Sequence, residues 1–168
     1  MGAAALVLAL AGCSPKYNWR DYASPDGYYR VTFPARPSSV TRPIDLGDIR
    51  VSMTMTAADV EGATFAVGTA EAPDPDSAQA SLAAMQAALV RNIGATVTSE
   101  KAAAASNDGA SRGTRDVEAN GSQKGEPMRL VGHFEARGNR FYQVVVLGKP
   151  KSMPAEQVEQ FLTSFKIR

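Results

Sequence analysis

The chain's one histidine, His133, sits in Leu130-Val131-Gly132-His133-Phe134-Glu135, an alternating stretch that sets it on the strand face of Val131 and Glu135. Nucleophilic catalysis would need a partner for it: a thiol, a second imidazole, or a serine in a Gly-x-Ser-x-Gly turn. The sequence supplies no such partner, and it has no phosphate-cradling glycine-rich loop. With one histidine and one cysteine, Cys13, it also lacks the ligands of a zinc cage. His133 therefore reads as a hydrogen-bonded structural residue. Met53-Thr54-Met55 has the alternate thioether spacing that soft Cu(I) sites use, yet a core strand needs the same alternation. Asp74-Pro75-Asp76 offers two carboxylates, which helix capping accounts for more simply than calcium. The expectation is a protein with no catalytic residues, no cofactor and no metal.

Cys13 carries the clearest chemistry. Residues 3–11 are uninterrupted Ala, Leu and Val. A bilayer-spanning helix needs about 20 such residues, so the run suits a signal-peptide core instead. It ends in Leu10-Ala11-Gly12-Cys13, which resembles the lipobox of bacterial lipoproteins. The resemblance implies cleavage after Gly12 and a thiol carrying diacylglycerol, with a palmitate-type chain on the new amino terminus. Ser14 follows in place of an aspartate, which by resemblance to Gram-negative lipoproteins implies transport to the outer membrane, facing the periplasm. Two or three acyl chains would hold a domain stably, where one binds only marginally. The expected divisions are a signal peptide over 1–12, a lipidated tether over 13–25 and one folded domain over 26–168.

Composition bounds the rest. A chain of 168 residues, 44% hydrophobic, is long enough for one core. Its net charge of +1, with Lys and Arg interspersed among acids, excludes a nucleic-acid reader's basic stripe. Near the tether, Tyr17, Trp19 and Tyr22 offer aromatic surface for a membrane or a partner, or packing against the domain. Lys149 and Lys151 follow the central strand while Lys166 and Arg168 are expected to close the last helix, and the four would make a cationic patch if those ends converged.

The elements that must position these residues follow from periodicity. Strands are expected at 28–33, 40–44, 49–57 and 63–70, forming an antiparallel meander in which Phe65 and Val67 continue the buried face of Val51, Met53 and Met55. Leu82, Met85, Leu89, Val90 and Ile93 recur at helical spacing, with Asp74 as N-cap, Pro75 at the first position and Gly94 as the stop. Strands at 96–101 and 113–119 flank a patternless loop at 102–110, and Asn120-Gly121 is expected to open a polar turn through Pro127. A hairpin joins 128–136 to 140–148 through Gly138-Asn139. Its Val144-Val145-Val146-Leu147 run reads as a central strand covered on both faces. Val158, Phe161, Leu162 and Phe165 stripe a last helix begun by Pro154.

Taken together, Gly27-Tyr28-Tyr29-Arg30-Val31-Thr32-Phe33-Pro34, Arg140-Phe141-Tyr142-Gln143-Val144-Val145-Val146 and Phe161-Leu162-Thr163-Ser164-Phe165-Lys166 resemble small proteobacterial-type lipoproteins with a PsbP-like domain. The resemblance implies an α+β fold, a single antiparallel sheet flanked by helices, and a binding or assembly role without shared catalytic residues. The expected function is a lipid-anchored envelope module that engages another envelope protein. The alternative is a carrier or sensor of a small apolar ligand held between the sheet and the helix of residues 75–93.

Overall fold

A computed structural model describes residues 16–103 and 112–168. Cys13, with Leu10, Ala11 and Gly12, lies outside the described residues, as does the expected loop from residue 104 onward. The chain runs β1 (Arg20–Ala23), β2 (Tyr29–Phe33), β3 (Ser38–Leu46), β4 (Ile49–Val60), β5 (Ala63–Glu71), α1 (Pro75–Asn92), β6 (Thr96–Ala103), β7 (Arg112–Gln123), β8 (Glu126–Arg137), β9 (Arg140–Gly148), α2 (Ala155–Ser164) and β10 (Lys166–Ile167). Seven strands form one antiparallel sheet in the order β3-β4-β5-β9-β8-β7-β6. Its middle strand is β9, as the valine run requires.

The expectation of a single sheet is corrected: β1, β2 and β10 form a separate three-stranded sheet. Pro34 and Pro37 interrupt the chain after β2 and deny it a ladder to β3. Instead β2 pairs with β1, which lies in the stretch read from sequence as tether, and with β10 at the far end of the chain. Tyr29, Val31 and Phe33 are thereby turned onto the larger sheet's back.

Three layers result. On one face of the large sheet, α1 buries Ala78, Leu82 and Met85 against Phe134, Phe141 and Val145. Asp74 caps this helix by accepting the Ser77 N–H (2.8 Å), and Gly94 ends it at φ +55°. On the other face, α2 and the small sheet bury Phe161, Phe165, Tyr29 and Phe33 against Phe65, Val67, Val144 and Val146. Phe161 is at the centre, 5.4 Å from both Phe33 and Phe65 between ring centroids. Each such aromatic pair adds about 0.5–1.5 kcal/mol beyond the area it buries.

Because the two covers are offset, β4 changes its buried side partway along. Val51 and Met53 face the α1 layer, whereas Ala58 and Val60 face the small sheet. Phe65 and Val67 consequently lie on the face opposite Val51 and Met53, which corrects the expectation that they share it.

The turn expected from Asn120-Gly121 through Pro127 is narrowed, and its opening is corrected. β7 runs on to Gln123, and the chain reverses at Lys124 (φ +53°) and Gly125 (φ +81°), whose left-handed pair suits a tight hairpin. Gly121 is a glycine because another backbone crosses it: Ser122 N–H donates to Ile93 O (3.1 Å), and a Cβ on Gly121 would sit 2.5 Å from that same oxygen. Gly121→Ala should therefore cost about 1–3 kcal/mol by forcing β7 from the end of α1. The exposed Asn120→Ala should stay within about 0.5 kcal/mol, both read as denaturant midpoints.

Candidate functional site

The small sheet and α2 cover the strands β5, β9 and part of β8, and they stop short of β7 and β6. That leaves a groove between the flank of α2 and the open side of the sheet. Its largest cavity, about 480 Å³, is lined by Asp116, His133, Glu135, Arg137, Leu162 and Phe165, among others. Two adjoining hollows extend it, one toward Ser99 and Lys101, the other toward Arg129 and Glu159, and Leu162 borders all three.

Strand register builds the groove's floor. Lys101, Asp116 and His133 face one another across β6, β7 and β8, and Glu118 lies opposite Val131 one pair along. His133 is clamped on both nitrogens: Nδ1 is 2.6 Å from Asp116 Oδ1 and Nε2 is 3.4 Å from Glu135 Oε2. Arg129 likewise reaches Glu118 at 3.1 Å. With both ring nitrogens engaged by carboxylates on opposite sides, His133 presents no open lone pair to a substrate or an ion. Among the described residues, no group of three or more His, Cys, Asp or Glu is disposed to hold a metal.

Burial works against the charged imidazole. Hydrogen bonds to Glu135 and Asp116 and the charge of both carboxylates outweigh it, so the His133 pKa is raised above the ordinary 6.5. Lys101, opposite Asp116, and Arg137 and Lys166, at the rim, are the nearby cations.

Other residues singled out by sequence go elsewhere. Met53 is core and Met55 half-buried, its Sδ accepting from Gln143 Nε2 at 3.2 Å, on the face of the sheet opposite His133. Tyr17 stacks on Trp19, and both meet Phe65 edge-on at 6.5 and 6.4 Å. Tyr22 meets Phe33 at 5.6 Å, so all three rings lean on the domain. Lys149 pairs with Glu126 at 2.8 Å, and Lys151 lies in a short 3₁₀ turn beside it. The ends that would have made a four-cation patch do not converge. Lys149 follows the last residue of β9, while Arg168 N–H bonds Tyr28 O, and Tyr28's ring lies under Arg140 at the first residue of β9. A strand of nine residues separates the two pairs by roughly 30 Å.

Sequence reading missed the groove itself. A signal was present: His133, Glu135 and Arg137 alternate with the buried Phe134 and Ala136, so one side of β8 is apolar and the other is not.

The fold defined by these layers is the PsbP-like α+β fold. The solution structure of cyanobacterial PsbP (CyanoP) from Synechocystis sp. PCC 6803 superposes with a TM-score of 0.56 over 95% of this chain and 98% of that one, at 11% sequence identity. A Pseudomonas aeruginosa protein of unknown function, PA94, described as a putative regulator, superposes at a TM-score of 0.41 and 11% identity over 83% of this chain and 88% of its own. No protein-family profile matches the chain, and no curated protein matches it in sequence.

The raised His133 pKa has a consequence for stability. A group whose folded pKa exceeds its unfolded one stabilises fully below the unfolded value, near 6.5, and loses that contribution as pH climbs through the folded value. Thermal midpoints of the native chain should therefore fall from about pH 6 to about pH 8, and His133→Gln should flatten that fall. An equal slope in both proteins would show that the clamp contributes nothing.

Proposed function

We propose that the protein is a lipid-anchored, non-catalytic module of the bacterial envelope, held at Cys13 and engaging another envelope protein through the groove beside α2. The observation that carries this reading is the groove's chemistry. Its floor pairs its charges locally: Asp116 and Glu135 flank His133, Lys101 lies opposite Asp116, and Arg129 meets Glu118, while its wall offers Leu162 as an apolar ridge. Such a surface recognises a partner by shape and apolar contact and has no group poised for bond-making.

The apolar-carrier alternative finds less support. Leu82 and Met85 fill the space between α1 and the sheet, and the hollow on that helix's flank is an open one beside Gln86, Val90 and Arg115. The lipidation itself is tested by intact mass and detergent fractionation of the native chain and a Cys13→Ala variant expressed in a Gram-negative host. Native protein should lose residues 1–12, gain the mass of its acyl chains and partition with membranes, while the variant should do none of these. An unmodified Cys13 in the aqueous fraction would refute the anchor.

A further inference from the structure

The outer face of the three-stranded sheet, turned away from the core, holds an electrostatic arrangement that the fold does not explain. Lys166 on β10 lies directly opposite Arg30 on β2. Both side chains are exposed, and neither forms an ion pair among the described residues. Like charges facing one another across a strand pair destabilise it, so the pair lacks an internal reason to exist. Arg30, Lys166 and Arg168 border one cavity of about 480 Å³ with the hydroxyl-bearing Thr32 and Ser164. The one acid there, Asp21, already accepts a hydrogen bond from Thr32 Oγ1 at 3.0 Å.

The position of this face is informative too. Its edge strand β1 is entered directly from the amino-terminal segment: Lys16 is tied to Glu61 at 2.5 Å, and β1 begins at Arg20, at most about 13 Å further along the chain. By contrast, the cations Lys16 and Lys149, both near the β4–β5 turn and the end of β9, are paired to Glu61 and Glu126. The unpaired cations Arg30 and Lys166 lie at the far end of β1 from Arg20, where Ala23 pairs with Arg30. The outer face thus runs from Arg20, where the amino-terminal segment joins it, to Arg30 and Lys166, and a membrane-tethered chain can lay it along the bilayer.

We propose that the outer face of β1-β2-β10 docks on an anionic bilayer surface, with Arg30 and Lys166, assisted by Arg168, receiving lipid phosphates. The proposal rests on the membrane attachment proposed above, and it orients the domain: with this sheet against the headgroups, the α1 face is turned toward the periplasm. Each cation near an anionic surface strengthens binding about fivefold, so the pair is worth about 25-fold.

The test uses full-length Cys13→Ala protein, which carries no acyl chain, so its outcome is separable from that of the anchor. Co-sedimentation is measured with vesicles of phosphatidylcholine alone and with vesicles one-third phosphatidylglycerol. Binding should be stronger to the anionic vesicles and fall away toward 1 M salt, where the Debye length shrinks to about 3 Å. Adding Arg30→Gln and Lys166→Gln should weaken the anionic binding about 25-fold with the thermal midpoint held or raised, since a repulsion is removed. Arg30→Glu, which sets a carboxylate against Lys166, should raise the midpoint and weaken binding together. Lys149→Gln with Lys151→Gln should leave binding as it was. Equal binding to both vesicles, undiminished binding by the Arg30/Lys166 variant, or loss through Lys149 and Lys151 instead would each overturn the proposal. So would binding of inorganic phosphate in solution without selectivity for the anionic vesicles.

Discussion

Two-sided burial of β5 and β9 is the constraint on which the rest of the molecule depends. Along these adjacent strands one set of side chains, Phe65, Val67, Val144 and Val146, requires a cover on one face, and the set between them, Ala66, Ala70, Phe141 and Val145, requires a cover on the other. One sheet with helices on a single side would leave one of these sets in water. A fully buried Val, Leu or Phe is worth about 1.5–3 kcal/mol relative to exposure, so leaving either face bare would exceed the margin by which small domains are stable. The chain answers with α1 on one face, and on the other with a second layer assembled from its two ends: β1 and β2 from the amino-terminal side, α2 and β10 from the carboxy-terminal side.

That answer has a geometric remainder. A cover of one short helix and three short strands cannot span seven strands, and it is centred on β5 and β9 because the apolar side chains are there. The strands left over on that side, β6 and β7 with the outer part of β8, carry polar residues on the uncovered face and apolar ones, Val117, Ala119 and Phe134, on the α1 face. The groove beside α2 is the boundary between covered and uncovered sheet. Its charged floor exists because water, rather than another layer, faces those positions, and strand register then brings Asp116, His133 and Glu135 close enough to pair.

This division explains what the sequence made legible. Local patterns succeeded: Asp74-Pro75 with Gly94 bounded α1, and the valine run marked β9 as central, because capping and two-sided burial are written in adjacent residues. Long-range pairing was not legible. β10 has two residues and no periodicity, so its pairing with β2, more than a hundred residues away, left no local trace, and with it went the second sheet and the Arg30–Lys166 opposition. Asn120-Gly121 misled for a related reason. The dipeptide has the composition of a turn, but Gly121 is small because the end of α1 crosses it, a tertiary demand that mimics a local one. The reversal at Lys124-Gly125 lies inside the expected 120–127 turn, with a lysine taking the left-handed conformation at its tip.

The two faces on the small-sheet side also differ in how their charges are arranged, and this contrast separates the roles proposed for them. In the groove, Arg129 is matched by Glu118, and Asp116 and Glu135 are flanked by His133 with Lys101 opposite Asp116, so charges of both signs alternate within a few ångströms. At physiological ionic strength an uncancelled charge is felt over about 8 Å, and a cancelled one over much less. On the reading proposed above, a partner approaching the groove would meet a locally paired, half-apolar surface where affinity depends on fit and desolvation, which are short-range and selective. The outer face of the small sheet keeps its repulsion between Arg30 and Lys166 in the isolated fold. Since opposed like charges lower the stability of a two-residue strand that closes the whole layer, their neutralisation by an external anion would tighten β10 onto β2. Through Ile167 and Phe165, it would also tighten the wall of the groove itself. On the proposed reading, attachment at one face and recognition at the other would be joined through the shortest strand among the described residues.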